Sequence, residues 1–212
     1  MSRGLFITIE GIDGSGKSTH ASMLADYLNE RGIPSVLTRE PGGTRIGEQV
    51  RSILLDNVNS DMAAMTEVLL YAASRAQHVA QVIKPALEQG KVVLCDRFVD
   101  SSLAYQGYAR GLGLDTVKTI NEHALGGVWP DITLLLDISP EIAWKRILKD
   151  GFKDRLESEG LELLKVVYEG YRNIARLYSD RFYIISAADG VNDIHKKILS
   201  IIEPKLKKYR LI

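Results

Sequence analysis

The chain has 212 residues and a mass of 23.5 kDa, and its 27 basic and 27 acidic residues give a formal net charge of zero at pH 7. That balance argues against a protein whose main function is to hold a nucleic-acid backbone. Hydrophobic residues make up 45% and charged residues 25%, which are ordinary globular values and argue against disorder or a coiled-coil fibre. We expect one domain over residues 1–212.

The sequence contains few features of a secreted or membrane protein. Cys95 is the only cysteine, which excludes a disulfide framework and a cysteine-rich metal site, and the four histidines are scattered, so a structural zinc site is not expected. No apolar run approaches the roughly 20 residues of a membrane helix, and the N-terminal segment lacks the pattern of a signal peptide. The sequence predicts a cytoplasmic protein with no membrane partner.

Along the chain, short β-branched segments alternate with longer amphipathic ones, which predicts an α/β fold with a parallel sheet covered by helices. Five strands are predicted, at residues 5–10, 35–38, 92–96, 132–137 and 182–186. Helices are predicted at 20–31, 66–89, 159–179 and 193–208, with another that begins at Ser139-Pro140. Ser139 offers a capping hydroxyl and Pro140 suits the first helical position.

The decisive motif is segment 11–18, GIDGSGKS, which matches G-x-x-x-x-G-K-[ST] directly after the first predicted strand and before the first helix. Glycines let backbone N–H groups point at a phosphate, and the helix N-terminus adds its positive dipole end. Lys17 would reach the β- and γ-phosphates and the Ser18 hydroxyl would hold Mg²⁺. The candidate ATP-binding residues are Gly11, Ile12, Asp13, Gly14, Ser15, Gly16, Lys17, Ser18 and Thr19.

Other interpretations of this loop are weaker. A glycine-rich turn without a ligand is possible, but the order of strand, loop and helix argues against it. A dinucleotide site would need a third glycine where Thr19 stands, and the Asn-Lys-x-Asp signature of a GTPase does not occur. A kinase or a nucleoside triphosphatase remains.

Asp96 and Arg97 end the third predicted strand, and the carboxyl ends of parallel strands face a common crevice. We therefore expect both beside the phosphate loop. Asp96 is predicted to hold the magnesium ion or its waters together with Ser18, and Arg97 to clamp a phosphate. A surface ion pair between the two is the alternative.

Four blocks of sequence together resemble the thymidylate kinase family. They are segment 11–19, segment 38–44 (TREPGGT), Asp96-Arg97-Phe98 followed by Ser101-Ser102 and Tyr105-Gln106-Gly107, and Asp154-Arg155-Leu156-Glu157. The blocks occur in the family order and span most of the chain. The resemblance implies a P-loop NTPase fold, transfer of the ATP γ-phosphoryl group to thymidine monophosphate, Mg²⁺ as cofactor, and a homodimer.

The resemblance also implies roles for residues of the acceptor site. Asp13 would contact the sugar 3′-hydroxyl, Arg97 the acceptor phosphate and the transferring group, and Tyr105 would crowd the sugar 2′ position. An aromatic ring, a guanidinium and an amide would read the thymine. The implied acceptor set is Asp13, Glu40, Arg51, Tyr71, Arg75, Arg97, Ser101, Tyr105 and Gln106. From spacing alone, Tyr71 and Arg75 also fit a core aromatic beside a solvated arginine.

Phosphoryl transfer needs cations that neutralise charge at the γ-phosphate after both nucleotides bind. A small mobile lid at about residues 143–157 would supply them. Some members of the family carry a catalytic arginine in the phosphate loop, but this chain has Gly14 at that position. The resemblance therefore makes Arg146 and Arg155 of the lid the candidate charge stabilisers. Arg146, together with residues near 190–191, is also a candidate ATP contact. The predicted catalytic set is Lys17, Arg97, Arg146, Arg155 and Asp13, whereas Lys149 and Lys153 fit a solvated helix face equally well.

Two alternative functions stay open from the sequence. One is a kinase of another pyrimidine nucleoside monophosphate or of a deoxynucleoside. The other is a P-loop ATPase that acts as a switch, for which nucleotide hydrolysis would not depend on an acceptor.

Overall fold

The computed structural model describes residues 3–151, 154–209 and 211. Within these residues, five parallel strands form one sheet: β1 (Phe6–Glu10), β2 (Ser35–Arg39), β3 (Val92–Asp96), β4 (Ile132–Asp137) and β5 (Phe182–Ser186). Their order across the sheet is β2-β3-β1-β4-β5. The predicted five-stranded parallel sheet is therefore confirmed, with β1 one residue shorter and β2 one residue longer than expected.

Helices connect the strands and cover the sheet. They are α1 (Lys17–Glu30), α2 (Arg45–Leu55), α3 (Ala64–His78), α4 (Lys84–Glu88), α5 (Val99–Ser102), α6 (Leu114–Leu125), α7 (Pro140–Asp150), α8 (Leu161–Leu177) and α9 (Val191–Lys208). Two π-helical turns, Val79–Ile83 and Leu103–Ala109, and two 3₁₀ turns, Asn57–Asn59 and Glu157–Glu159, complete the helical parts. In the described ranges, no helix has both the length and the apolar character needed to cross a bilayer.

The core lies on both faces of the sheet. Every residue of β1 is buried, and its side chains alternate between two clusters: Ile7 and Ile9 pack on one face and Phe6 on the other. Val93 and Cys95 of β3 belong to the same cluster as Phe6. This double burial explains why the central strands have nearly continuous apolar sequences.

The observed helices differ from the sequence prediction in several places, and two of the differences have a clear local cause. Helix α1 begins at Lys17, three positions before the expected start, because the chain enters the helix directly from the phosphate loop. The long helix expected at 66–89 is interrupted by the π-helical turn before α4. Pro85 lacks an N–H and its ring would clash with the carbonyl four residues earlier, and a widened turn relieves that clash.

The strand register brings three loops to one edge of the sheet. Asp96 at the end of β3 lies opposite Ile9 of β1 on one side and opposite Arg39 of β2 on the other. The Glu40 N–H donates to the Asp96 carbonyl at 3.0 Å. The phosphate loop, the Asp96-Arg97 pair and the loop that begins at Glu40 therefore meet at the carboxyl ends of adjacent strands, as the sequence predicts.

The proposed lid segment starts on α7, whose N-terminus is capped by the Ser139 hydroxyl accepting from Ile142 N at 3.3 Å. Lys153 lies outside the described residues. After it, the Asp154 carboxylate accepts from the N–H groups of Leu156 and Glu157, both at 3.0 Å, and closes a tight turn. Mobility of this segment remains a prediction.

Candidate active site

The phosphate loop lies between β1 and α1, and glycines set its path. Gly14 and Gly16 have φ values of 77° and 92°, the left-handed region that suits glycine. A Cβ on Gly14 would stand 2.6 Å from the Ala143 carbonyl oxygen, so α7 approaches the loop backbone closely. Helix α1 begins directly after Gly16, so its N-terminus, the positive end of the helix dipole, adjoins the loop.

Lys17 lies inside this loop. Its ammonium donates to the Ile12 carbonyl at 2.9 Å and lies 3.9 Å from Asp13 Oδ1. Burial, reinforced by the nearby Arg97 charge, lowers the pKa of Lys17 to about 8. An anionic phosphate in the loop would favour the charged amine again, which is the expected electrostatic setting of a phosphate-binding lysine.

The two residues predicted to hold the metal are in direct contact, since Ser18 Oγ donates to Asp96 Oδ2 at 2.5 Å. A hydroxyl and a carboxylate are hard oxygen donors, and Mg²⁺ commonly takes only one or two protein ligands beside phosphate oxygens and waters. The described part of the chain contains no cluster of three or more His, Cys, Asp or Glu side chains that could form an all-protein metal site. This donor set therefore suits a Mg²⁺ ion that arrives with a nucleotide.

A cavity opens beside the loop. All nine residues of the predicted acceptor set line it: Asp13, Glu40, Arg51, Tyr71, Arg75, Arg97, Ser101, Tyr105 and Gln106. The sequence analysis did not include the other lining residues in that set: Pro41, Leu55, Phe98, Ser102, Asp154 and Leu156. The fold thus assembles in one place residues that are far apart in sequence.

Asp13 and Arg97 form an ion pair at the boundary between loop and cavity. The Tyr105 hydroxyl donates to the other carboxylate oxygen of Asp13 at 2.8 Å. Burial alone would raise the pKa of Asp13, but the charges of Arg97 and Lys17 outweigh it and lower the pKa to about 2. Asp13 is therefore ionised at neutral pH and can only accept hydrogen bonds.

Arg97 adopts a backbone conformation that is unusual for a residue with a side chain. Its φ is 68°, which makes it the one non-glycine residue with positive φ among those described. Its guanidinium donates to the Gly11 carbonyl at 3.1 Å, to Ser101 Oγ at 3.2 Å and to the Tyr171 hydroxyl at 3.1 Å. Strained backbone of this kind is retained where the surroundings fix a functional side chain.

Glu10 supports this arrangement from the end of β1. Its carboxylate accepts from Phe98 N at 2.7 Å, from Ser101 Oγ at 2.6 Å and from the Tyr171 hydroxyl at 2.8 Å. Burial, together with the Asp100 charge, raises the pKa of Glu10 to about 7. The sequence analysis missed Glu10 and Tyr171, although a charged residue at the end of a largely apolar strand was a signal for Glu10.

Arg75 is almost completely buried, with 1% of its surface exposed, so the alternative of a solvated arginine is wrong. Its Nε donates to Glu40 Oε2 at 2.8 Å and its Nη1 to Ser102 Oγ at 3.1 Å, with a further contact to Asn121. The other oxygen of Glu40 lies 3.0 Å from His78 Nδ1. Glu40, which was predicted to line the acceptor site, thus also fixes the position of Arg75.

The two predicted charge stabilisers lie in different places. Arg146 on α7 donates to the Gly14 carbonyl at 3.0 Å and to the Ala187 carbonyl at 3.5 Å, and so bridges the phosphate loop and the loop after β5. Arg155 is buried, forms an ion pair with Glu67 at 2.5 Å and donates to the Leu54 carbonyl at 3.1 Å. The partners described for the Arg155 side chain are Glu67, Glu159 and the Leu54 carbonyl rather than the phosphate loop, because the buried Glu67 carboxylate binds its guanidinium.

The phosphate loop and the cavity meet at Asp13 and Arg97, an arrangement that suits transfer between two phosphates and defines a P-loop phosphotransferase. A family model described as thymidylate kinase matches residues 9–198. The chain belongs to the thymidylate kinase family.

Individual relatives agree with this assignment. The chain is 50% identical over 200 residues to a thymidylate kinase of Clostridium novyi, covering 93% of this chain and 98% of the relative. It is 47% identical over 210 residues to a thymidylate kinase of Bacillus licheniformis, covering 98% and 99%. The crystal structure of an Ehrlichia chaffeensis thymidylate kinase matches with a TM-score of 0.77 and 34% identity, covering 94% of this chain and 99% of that one.

Proposed function

We propose that this protein transfers the γ-phosphoryl group of ATP to thymidine monophosphate and so forms thymidine diphosphate. The observation that carries the proposal is the junction of a phosphate-binding loop with a cavity lined by all nine acceptor residues. The family assignment supports this reaction, and the cavity beside the loop supports binding of the acceptor there.

The loop is proposed to grip the ATP phosphates through its backbone N–H groups and Lys17. Ser18 and Asp96 would hold Mg²⁺, which neutralises charge on the β- and γ-phosphates when bound. Arg97 is proposed to align the acceptor phosphate with the γ-phosphate, and Arg146 to stabilise charge on the transferring group and to contact ATP. No general base is needed, because the attacking phosphate oxygen is already anionic.

Arg155 would have to leave its ion pair with Glu67 to reach the transferring group. We therefore propose Arg146 as the principal charge stabiliser. Arg155 would hold the end of the lid segment against the cavity wall through Glu67 and the Leu54 carbonyl.

The acceptor is proposed to bind with its sugar against Asp13 and Tyr105 and its base between Tyr71, Arg75 and Gln106. Thymine presents two carbonyl oxygens and one N–H, which a guanidinium and an amide can read, and its flat face suits an aromatic ring. The Tyr105 ring would leave little space for a ribose 2′-hydroxyl.

An ADP-release assay with a panel of acceptors tests this proposal. The panel contains the thymidine, deoxyuridine, uridine and deoxycytidine monophosphates, together with a reaction that has no acceptor. We expect turnover with thymidine monophosphate and only background without an acceptor. Equal turnover of the thymidine and deoxycytidine nucleotides would contradict the assignment of Arg75 and Gln106 to the base, and acceptor-independent ADP release would favour an ATPase switch.

We further propose that the protein is a homodimer. Apolar side chains are exposed on the packed pair α2 and α3, where Ile46 and Ile53 are 43% and 47% exposed and Met65 and Leu69 are 42% and 50% exposed. Burial of these side chains against a second copy would remove them from water. Light scattering should give about twice the monomer mass, and Ile53→Glu with Leu69→Glu should give a monomer.

A cytoplasmic location is proposed from the cysteine content. Cys95 is a buried free thiol in β3, and a chain with no disulfide to form suits a reducing compartment. Fractionation of the source cells should recover the protein with cytoplasmic markers, and recovery with the membrane or the external medium would contradict the proposal.

A further inference from the structure

Glu67 on α3 is a buried carboxylate with four hydrogen bonds and 1% of its surface exposed. Its Oε1 accepts from Gln106 Nε2 at 2.8 Å and from Arg110 Nε at 3.3 Å. Its Oε2 accepts from Arg110 Nη2 at 3.2 Å and from Arg155 Nη2 at 2.5 Å. A carboxylate offers about four acceptor positions, so those of Glu67 are all used.

These bonds join two separate parts of the chain to one carboxylate on α3. Gln106 lies in the π-helical turn Leu103–Ala109, and Arg110 follows that turn directly. Arg155 belongs to the segment after α7, and Arg110 also pairs with Glu159 of the same segment. Only one of the four donated bonds comes from a residue that lines the acceptor cavity, namely Gln106.

The ionisation of Glu67 decides which end of the Gln106 amide faces it. Burial would raise the pKa of Glu67, but the hydrogen bonds from Arg110, Gln106 and Arg155 outweigh it and hold the pKa below its usual value. A carboxylate without a proton cannot donate to the amide oxygen of Gln106. The amide nitrogen must therefore face Glu67, and the amide oxygen is left for another donor.

The orientation of this amide bears on the choice of base. Thymine and uracil carry a hydrogen on N3 and can donate to an amide oxygen, whereas N3 of cytosine is an acceptor. We propose that Glu67 is a positioning residue for base specificity: it holds the Gln106 amide so that its oxygen accepts from N3–H and repels cytosine. This inference rests on the proposed function and adds a residue that does not itself touch the base.

The test is the ratio of kcat/KM for thymidine monophosphate to that for deoxycytidine monophosphate in Glu67→Gln. The new side-chain amide can donate to Gln106, which frees the Gln106 amide to turn its nitrogen toward the base. We expect the ratio to fall about tenfold or more, because the buried mismatch between two acceptors, the Gln106 amide oxygen and N3 of cytosine, is removed. Discrimination will not vanish, since Arg75 still favours a carbonyl oxygen over the cytosine amino group.

A purely structural role would lower kcat/KM for both acceptors in parallel and leave the ratio unchanged, and that result would overturn the inference. Glu159→Gln is the matched control, because Glu159 pairs with Arg110 and lies 3.7 Å from Arg155 without a bond to Gln106. Its ratio should equal that of the wild type. A fall as large as that of Glu67→Gln would assign the effect to the ion-pair network and contradict a specific role of Glu67.

Loss of the Glu67 charge leaves two guanidiniums without their buried partner and can prevent folding. The double variant Glu67→Gln/Arg110→Gln removes one cation together with the carboxylate, and the same fall in ratio is expected. Wild-type turnover of thymidine monophosphate is measured first. Its absence would overturn the proposed function, whereas an active wild type with unchanged ratios in the variants would overturn only the inference about Glu67.

Discussion

Glu10 and Arg97 share the hydroxyl of Tyr171, which donates to Glu10 Oε2 at 2.8 Å and accepts from Arg97 Nη1 at 3.1 Å. Ser101 makes a second bridge, with distances of 2.6 Å to Glu10 and 3.2 Å to Arg97. The arginine proposed to hold the acceptor phosphate is therefore fixed, through two hydroxyls, to a carboxyl group at the end of the central strand. A substitution of Glu10 should therefore also affect the position of Arg97 at the proposed phosphate site.

Glu10→Gln should remove a pH dependence of stability. Burial raises the pKa of Glu10 from 4.5 to about 7, so this group stabilises the fold most at low pH and loses that contribution as the pH rises through about 7. Relative to the variant, the free energy of unfolding of the wild type should fall by about 2 kcal/mol between about pH 5.5 and 7.5. Urea unfolding of both proteins across this range measures the difference.

Other titrating groups do not disturb the comparison between the wild type and Glu10→Gln. Burial lowers the pKa values of His20 and His195, but both histidines are present in both proteins, so their contributions to the pH dependence of stability cancel in the difference. Parallel stability curves for wild type and Glu10→Gln would show that Glu10 does not titrate in this range.

Arg97 can be tested for function and backbone strain with two variants. Arg97→Ala and Arg97→Gly should both lose about 10²-fold or more in kcat, because each removes the cation proposed to align the acceptor phosphate with the γ-phosphate. Arg97→Gly should be the more stable by about 1 kcal/mol, since glycine adopts φ of 68° without strain. Steady-state kinetics and thermal unfolding measure the two effects; near-normal turnover of either variant would remove Arg97 from the mechanism.

Gly14→Ala should separate α7 from the phosphate loop. The new Cβ would lie 2.6 Å from the Ala143 carbonyl oxygen, so α7, which carries Arg146, must move. We expect KM for ATP to rise and kcat to fall, each about tenfold. Gly32→Ala is the matched control: Gly32 also has positive φ, 67°, but its Cβ would meet nothing within 4 Å. Unchanged kinetics in Gly14→Ala would contradict the proposed contact.

Arg146→Gln should lower kcat by about 10²-fold with the fold intact, because the variant keeps a polar side chain but loses the charge proposed to stabilise the transferring phosphate. Lys145→Gln, a neighbouring exposed position on α7, is the control and should behave as the wild type. If Arg155→Gln, rather than Arg146→Gln, gave the large loss in kcat, the assignment of the charge stabiliser would be reversed.

Asp96→Asn should raise the Mg²⁺ concentration that gives half-maximal activity, by about tenfold or more, because the amide keeps the shape but loses the charge beside Ser18. Excess Mg²⁺ should recover part of the rate. A Mg²⁺ titration of the ADP-release assay measures the change, and an identical titration curve for the variant would place the metal elsewhere.

The sequence predicted those parts of the site whose signal is contiguous or lies at the end of a strand. Lys17 and Ser18 follow from one motif, and Asp96 follows from the rule that strand ends share a crevice. The contact between Ser18 and Asp96, residues 78 positions apart, supports that reasoning.

The positions of the other site residues depend on contacts with residues that are distant in sequence. Arg155 was expected among the cations at the γ-phosphate, but Glu67, 88 positions away in sequence, binds its guanidinium. Tyr171 reaches Glu10 across 161 positions, and neither spacing nor composition marks that contact. The position of a guanidinium depends on the nearest buried carboxylate. The identity of that carboxylate is set by the packing of the helices, which the sequence does not show directly.

The most direct test follows the γ-phosphoryl group itself. ATP labelled at the γ-phosphate is incubated with the protein, Mg²⁺ and thymidine monophosphate, and the products are separated. We expect the label in thymidine diphosphate at the same rate as ADP forms, and almost no labelled inorganic phosphate. Label that accumulates as inorganic phosphate, with or without the acceptor, would contradict a phosphotransferase whose cavity holds thymidine monophosphate beside the phosphate loop.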